Sequence, residues 1–227
     1  MRWTLIAVVG SMLAGCSTAA TKPETDTGSS TIDWIEFVQW EDTEYIRNYA
    51  TAELDNEWPI GKELGEVTFM LDGHAGTQYK IKNGDAAYLP IGTKLYEMEG
   101  YDPAFRIVAN GDLYEVARPG KSRVLGDFLD IDGEVKRVVL QSSEDLSFIH
   151  EFSQKHTEEF IEQLLAIPYA PDSGRREGER IFFAIELKDG SMTRSLYLPE
   201  TGYLDYGGKA SPRIVEIFEE ELKAAGN

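Results

Sequence analysis

Short apolar and aromatic runs separated by polar turns fill residues 32–118. Runs of about four to eight such residues, bounded by Gly, Asn, Asp or Pro, are typical of β-strands. Asn-Gly and Asp-Gly pairs between several runs favour antiparallel hairpins, because these residues tolerate positive φ. The pattern predicts an all-β antiparallel barrel or sandwich at residues 32–119. The predicted strands are 32–40, 43–49, 66–71, 78–82, 86–89, 93–98, 105–108 and 113–116.

The pattern changes after residue 119, where apolar positions at helical spacing accompany the strand-like runs. We expect Thr157 to cap one helix and Pro168 to stop it. A last helix is expected from Pro212, with Ser211 as its N-cap. Strand, helix, strand, strand, helix is the order of a sheet with helices on one face, so residues 120–227 are predicted to form a small α+β module. The fold class predicted for the chain is α+β. The predicted strands here are 135–140, 180–187 and 191–198.

The first residues carry a third pattern. Arg2 precedes an apolar run at residues 5–14, the length of a signal-peptide core. A membrane-spanning helix needs about 20 apolar residues, so the run is too short to be a transmembrane anchor. Leu13-Ala14-Gly15-Cys16 resembles the lipobox of bacterial lipoproteins. That resemblance implies cleavage between Gly15 and Cys16, and attachment of lipid, such as palmitate, to Cys16.

The cysteine count agrees with a lipid anchor. Cys16 is the single cysteine of the chain, so it has no intramolecular disulfide partner. Residues 16–31 are rich in Thr, Ser, Ala and Gly and are too poor in apolar residues to fold, which predicts a flexible tether. The predicted organisation is a lipoprotein signal peptide at 1–15, a tether at 16–31, and the modules at 32–119 and 120–227. The expected location is the extracytoplasmic face of the cell membrane, with the membrane reached through the lipid.

Charge narrows the classes of partner. The chain has 40 Asp and Glu against 22 Lys and Arg, a net charge of −18. Such a field repels nucleic acid and anionic lipid headgroups, so nucleic-acid binding is set aside.

The catalytic motifs tested are absent from the sequence. Gly120-Lys121-Ser122-Arg123-Val124 lacks the final glycine of a nucleophile elbow. His150 and His156 stand six residues apart, which would place them on different faces of a helix. Asp130 and Asp132 fit part of a calcium loop, but the first and last ligand positions are not filled by oxygen ligands, so they are weak metal candidates. No cofactor is predicted.

Aromatic residues offer one alternative site. Trp34, Trp40 and Trp58 are candidates for a platform that binds cell-wall sugars, although aromatic residues on strands more often belong to a core. With carboxylates at residues 33–58, they define an alternative function as an envelope hydrolase or carbohydrate-binding protein.

Several segments are similar to uncharacterised lipoproteins of Bacillus-type bacteria. They are Leu64-Gly65-Glu66-Val67, residues 83–93, Gly100-Tyr101 and Phe105-Arg106. The resemblance implies an envelope location and carries no activity. The sequence therefore predicts a membrane-anchored, non-enzymatic binding or interaction protein, with an envelope protein as the expected partner.

Overall fold

The strands form two separate sheets. A computed structural model describes residues 33–51, 57–171 and 178–226, so the predicted signal peptide, the lipobox and the tether lie outside the described residues. The first sheet is an open half-barrel of eight strands in the order β3-β6-β7-β8-β2-β1-β5-β4. The strands are β1 Phe37–Trp40, β2 Thr43–Arg47, β3 Ile60–Glu66, β4 Phe69–Met70, β5 Asp85–Ala86, β6 Lys94–Met98, β7 Arg106–Ala109 and β8 Asp112–Arg118.

Turn residues set the register of this sheet. Asn110 and Gly111 have φ of 53° and 84° and join β7 to β8 as a two-residue hairpin in which Ala109 faces Asp112. Both φ values are positive, as the type I′ turn of a hairpin requires. The strands pair antiparallel except β4 and β5, which pair parallel. The hairpin predicted at this Asn-Gly pair is confirmed.

The second sheet has six strands in the order β10-β9-β11-β12-β13-β14, all antiparallel. Two helices, α1 Gln154–Leu165 and α2 Pro212–Ala225, pack on it through an aromatic core in which Phe160 and Phe218 contact Phe183 edge-on. The α+β fold class is confirmed. The strands are β9 Val135–Gln141, β10 Phe148–Glu151, β11 Ile181–Leu187, β12 Met192–Leu198, β13 Tyr203–Leu204 and β14 Gly208–Lys209.

Local capping explains where the helices begin. Ser211 caps α2 as predicted, since its Oγ accepts the N–H of Ile214 at 3.3 Å. The prediction of Thr157 as the cap of α1 is wrong, because the helix begins one turn earlier, where the Oγ of Ser153 accepts the N–H of His156 at 3.2 Å. Serine at this position satisfies an amide that the first helical turn leaves without a partner.

Several strand predictions differ from the structure. The predicted strand at 78–82 is wrong, since Tyr79 stacks on Phe69 with ring centroids 5.1 Å apart and Ile81 is 40 % exposed. Alternation there does not bury one face, so it does not make a strand. Four strands were not predicted: β3, which has few apolar residues, and β10, β13 and β14, which are too short to show a period. The strand predicted at 66–71 is reduced to β4, Phe69–Met70, because β3 ends at Glu66.

The two sheets coincide with the two predicted sequence regions. All strands of the first lie before Pro119 and all strands of the second lie after it. The spatial contacts between residues, however, place the described residues in one compact unit. The division into modules at residue 119 stays a prediction. Within the described residues, no helix combines the length and the apolar character needed to cross a bilayer.

Candidate functional site

A buried arginine joins the two sheets. Arg106 is fully buried on β7, and its guanidinium lies over the rings of Tyr101 and Phe105, 4.4 and 4.3 Å from their centroids. Its Nη2 donates to Glu115 Oε1 at 2.5 Å, and its Nη1 donates to Ser191 Oγ at 2.7 Å. A guanidinium is removed from water only where such partners replace it. The hydrogen bond from Arg106 to Ser191 therefore connects the β7–β8 hairpin to the loop before β12.

Glu115 is the carboxylate held by this arginine. Only 13 % of its side chain is exposed, and burial raises the pKa of Glu115 even though Arg106, Thr193 and Asn48 all favour its charged form. Asn48 also donates from Nδ2 to the carbonyl of Met192 at 2.9 Å, which adds a second link between the sheets. Charged and polar groups therefore fill the seam between the two sheets.

A cleft of about 430 Å³ opens along this seam. β2 and β8 supply one wall, and β12 with the residues after β13 supplies the other. The volume is in the range of small-molecule sites, which begin at about 300 Å³. The lining residues are Glu44, Ile46, Arg47, Asn48, Tyr49, Ala50, Glu115, Val116, Ala117, Arg118, Phe128, Thr193, Arg194, Ser195, Asp205 and Tyr206.

Two polar atoms of the cleft are buried without a hydrogen-bond partner in the described structure: Ser195 Oγ and Arg47 Nε. Ser195 is 8 % exposed, so its hydroxyl does not reach bulk water freely. Thr193, two positions earlier, is paired instead, with Oγ1 3.2 Å from the hydroxyl of Tyr206. Burial raises the pKa of Tyr206, so this hydroxyl keeps its proton. Unpaired buried polar groups are rare, so these two atoms distinguish this part of the molecule, although both lie beneath the solvent-accessible surface of the cleft.

Charges in the lining balance. Arg47, Arg118 and Arg194 face three acids, Glu44, Glu115 and Asp205. Arg118 pairs with Glu44 at 3.2 Å at the mouth. Arg194 donates from Nε to Gln141 Oε1 at 2.9 Å, and burial lowers its pKa. In a chain of net charge −18, a balanced lining disfavours neither sign and suits a neutral polar ligand.

The cleft offers Ser195 carboxylates but no histidine. None of the three histidines lines it. A serine hydroxyl needs an adjacent general base to act as a nucleophile at neutral pH. The Ser195 hydroxyl bonds to none of the carboxylates of the lining, so it has no activating partner among the described residues.

The structure separates the three tryptophans of the predicted sugar platform. Trp34 packs on the cluster around Phe37, Trp40 on the cluster around Val38, and Trp58 on the cluster around Met98. None of them lines the cleft. Each indole thus packs against a different apolar cluster in the described structure, and the sugar platform stays a prediction.

Asp130 and Asp132 were the weak metal candidates of the sequence. Asp130 Oδ2 accepts the backbone N–H of Asp102 at 2.7 Å, which ties the loop to the first sheet, and Asp132 is exposed. Among the described residues, no group of three or more His, Cys, Asp or Glu side chains is placed to hold a metal ion.

The two histidines expected on separate faces of a helix meet at one carboxylate. His150 lies on β10 and contacts Glu221 Oε2 at 2.6 Å, whereas His156 lies in α1 and contacts Glu221 Oε1 at 2.5 Å. Burial alone raises the pKa of Glu221, but the amide of Ser153 and the two imidazoles outweigh it and hold the pKa below its ordinary value. The carboxylate thereby joins α2 to β10 and α1.

The cleft residues were not identified from the sequence. Ser195 and Thr193 are ordinary strand residues, and their proximity to Glu115 arises only when the sheets pack. The sequence matches no family model, and it matches neither a curated protein nor a solved structure.

Proposed function

We propose that this chain is an exported lipoprotein, anchored through lipid on Cys16, whose folded unit is a non-enzymatic binding protein of the cell envelope. The support for the anchor lies in the sequence: the short apolar run at residues 5–14, the lipobox-like Leu13-Ala14-Gly15-Cys16, and the single cysteine. A protein held on a membrane face in this way is expected to present its cleft to molecules of the envelope.

The observation that carries the binding function is the unpaired Ser195 hydroxyl, which lies just beneath the lining of the intersheet cleft. Leaving a buried hydroxyl without a partner costs about 1–3 kcal/mol, and a ligand that pairs it recovers part of that. Arg47, another residue of the lining, has a second buried donor without a partner, Nε. The half-buried ring of Tyr206 and the buried ring of Phe128 add apolar surface. The expected ligand is small, neutral, and bears both hydroxyl and amide groups.

N-acetylated glycan fragments carry both groups and peptide backbones carry the amide alone, so the test has two arms. We would titrate the protein with an N-acetylglucosamine oligomer and with a blocked alanine dipeptide, following amide NMR shifts of Thr193, Ser195 and Tyr206. The expected result is saturable shifts at these residues with one probe. Ser195→Ala should weaken that binding about tenfold, while Ser143→Ala, an exposed serine outside the cleft, should leave it unchanged. Shifts scattered over the surface, or equal effects of both variants, would contradict the proposal.

The anchor is tested separately. Cells expressing the full chain or Cys16→Ala would be fed an alkyne-labelled palmitate and fractionated. We expect label and membrane association in the wild type only. Label in both would exclude Cys16 as the attachment site without touching the evidence for the cleft.

Glu115 favours one second candidate, an envelope hydrolase. A carboxyl whose pKa is raised by burial is suited to donate a proton to a leaving group. Its Oε1 is already engaged by Arg106, however, which favours a structural role. Release of reducing ends from the N-acetylglucosamine oligomer by the wild type, and its loss in a folded Glu115→Gln variant, would favour hydrolysis over binding.

A further inference from the structure

A second cavity lies on the opposite part of the second sheet, beside α1. This groove has a volume of about 550 Å³ and shares no lining residue with the cleft. One face of α1 forms one wall and the turn before β9 forms the other. The lining residues are Asp132, Gly133, Val135, Thr157, Glu158, Ile161, Glu162, Leu165 and Ala166.

The floor of the groove is apolar. Ile161 is 7 % exposed, and Val135 and Leu165 are half-buried against the main core. All three residues line the groove. Apolar surface enclosed by a polar rim is typical of protein interaction sites.

The rim carries three carboxylates and no basic side chain. Asp132, Glu158 and Glu162 make no ion pair with any other described residue. Glu158 and Glu162 stand four residues apart on α1, so they repel each other along one face of the helix. One ammonium, that of Lys188, touches the rim, where it donates to the carbonyl of Gly133. The rim therefore keeps a net negative charge, with one ammonium against three carboxylates.

The end of α1 adds to this charge. Ala166 is the C-cap, lies in the groove wall, and the last turn of the helix has no basic residue. The partial negative charge at a helix C-terminus favours a cation there. On the neighbouring face of α1, by contrast, Glu159 is paired with Arg213 at 2.5 Å. The helix is thus neutralised where it packs on α2 and left negative where it faces the groove.

We propose that this groove is a docking site for a basic, amphipathic segment of a partner protein. Apolar side chains of the segment would cover Val135, Ile161 and Leu165, and its lysines or arginines would pair with the rim. The small area predicts weak, reversible binding. The proposal does not depend on a ligand in the cleft.

The test measures binding of a fluorescein-labelled peptide with lysines on one helical face and leucines on the other. Its control peptide carries glutamate in place of every lysine. The double variant Glu158→Lys/Glu162→Lys is matched by Glu144→Lys/Glu219→Lys, which changes the net charge equally at exposed acids outside the groove. Ala166→Gln places a longer uncharged side chain at the wall, and the helical backbone of Ala166 accepts it.

We expect the lysine peptide to bind the wild type and Glu158→Lys/Glu162→Lys to weaken it about tenfold or more. The matched double variant should change it by less than about threefold, and Ala166→Gln should weaken it at unchanged charge. Equal loss in both double variants would mean that the peptide senses only the overall field. Equal loss in both double variants would overturn the proposal. So would full binding by Ala166→Gln, binding of the glutamate peptide, or no binding of the lysine peptide to the wild type. Circular dichroism and a urea midpoint would verify that every variant is folded.

Discussion

Arg106 and Glu115 are directly opposed residues of the β7–β8 hairpin, and their side chains meet at 2.5 Å inside the protein. Neither charge has free access to water. Arg106 is the ion-pair partner of Glu115, and Arg106 also reaches Asp189 Oδ2 at 3.4 Å. The same guanidinium reaches Ser191 Oγ in the second sheet. The stability of the hairpin and the docking of the two sheets therefore share one side chain.

Arg106→Gln should destabilise the protein by about 3–5 kcal/mol, because it leaves Glu115 buried without a countercharge. Urea unfolding followed by circular dichroism measures this. Arg118→Gln is the matched control, since the Arg118 side chain is 77 % exposed and its pair with Glu44 should contribute about 1 kcal/mol or less. The double variant Arg106→Gln/Glu115→Gln should recover part of the loss. A loss no larger in Arg106→Gln than in Arg118→Gln would show that the buried pair is not needed.

The position of this pair follows from the sequence once the turn is recognised. The Asn110-Gly111 turn sets Ala109 opposite Asp112, and counting outward along both strands brings Arg106 opposite Glu115. The hairpin was predictable because a local pair of residues specifies it. The partner at Ser191 was not, since it depends on how one sheet packs on another 85 residues later. The cleft is formed by that same packing, and so local patterns do not reveal it.

Acid should weaken the junction between α2, β10 and α1. Since the pKa of Glu221 is lowered from its ordinary value of 4.5, its ionised form contributes stability above pH 4.5, and that contribution is lost as pH falls through the lowered value. The free energy of unfolding should therefore drop on acidification below pH 4.5. Glu221→Gln should show a smaller drop, and Glu219→Gln, an exposed neighbour on α2, should match the wild type.

Several groups around Glu221 affect how the free energy of unfolding changes with pH. His150, His156 and the amide of Ser153 all face the carboxylate, and Glu220 Oε2 lies 2.9 Å from Nε2 of His156. Glu186 also has a lowered pKa, beside Lys136 and Arg137, so some acid sensitivity should remain in Glu221→Gln. Identical pH profiles for Glu221→Gln and the wild type would remove this role from Glu221.

The N-cap of α1 is Ser153 in the structure, whereas the sequence predicted Thr157. Substituting each residue tests the two starts. Ser153→Ala should destabilise the protein by about 1 kcal/mol, because it removes the acceptor of the His156 amide. Thr157→Ala should have a smaller effect, since Thr157 lies within the helix. Thermal unfolding of the two variants measures the difference. A larger loss for Thr157→Ala would favour the start predicted from the sequence.

Gly65 leaves room for an indole. A Cβ at this position would lie 2.1 Å from Cη2 of Trp40, so Gly65→Ala forces the ring or the strand to move. Overpacking of this kind costs about 1–3 kcal/mol, and the displaced indole should alter tryptophan fluorescence. Gly76→Ala is the control, because no atom lies within 4 Å of a Cβ there. Unchanged stability and fluorescence in Gly65→Ala would contradict the close packing of Trp40.

The links between the sheets also bear on how fast the protein folds. Asn48 donates a hydrogen bond to the carbonyl of Met192, 144 residues further along the chain. Arg106 likewise donates to Ser191, which is synthesised later. Contacts this distant in sequence slow folding, because a long loop must close before they form. The first sheet is synthesised with Arg106 lacking its later partners, so its hairpin stays incompletely buried until β12 emerges. We therefore expect a late, rate-limiting docking step, which substitution of Asn48 should retard more strongly than it accelerates unfolding.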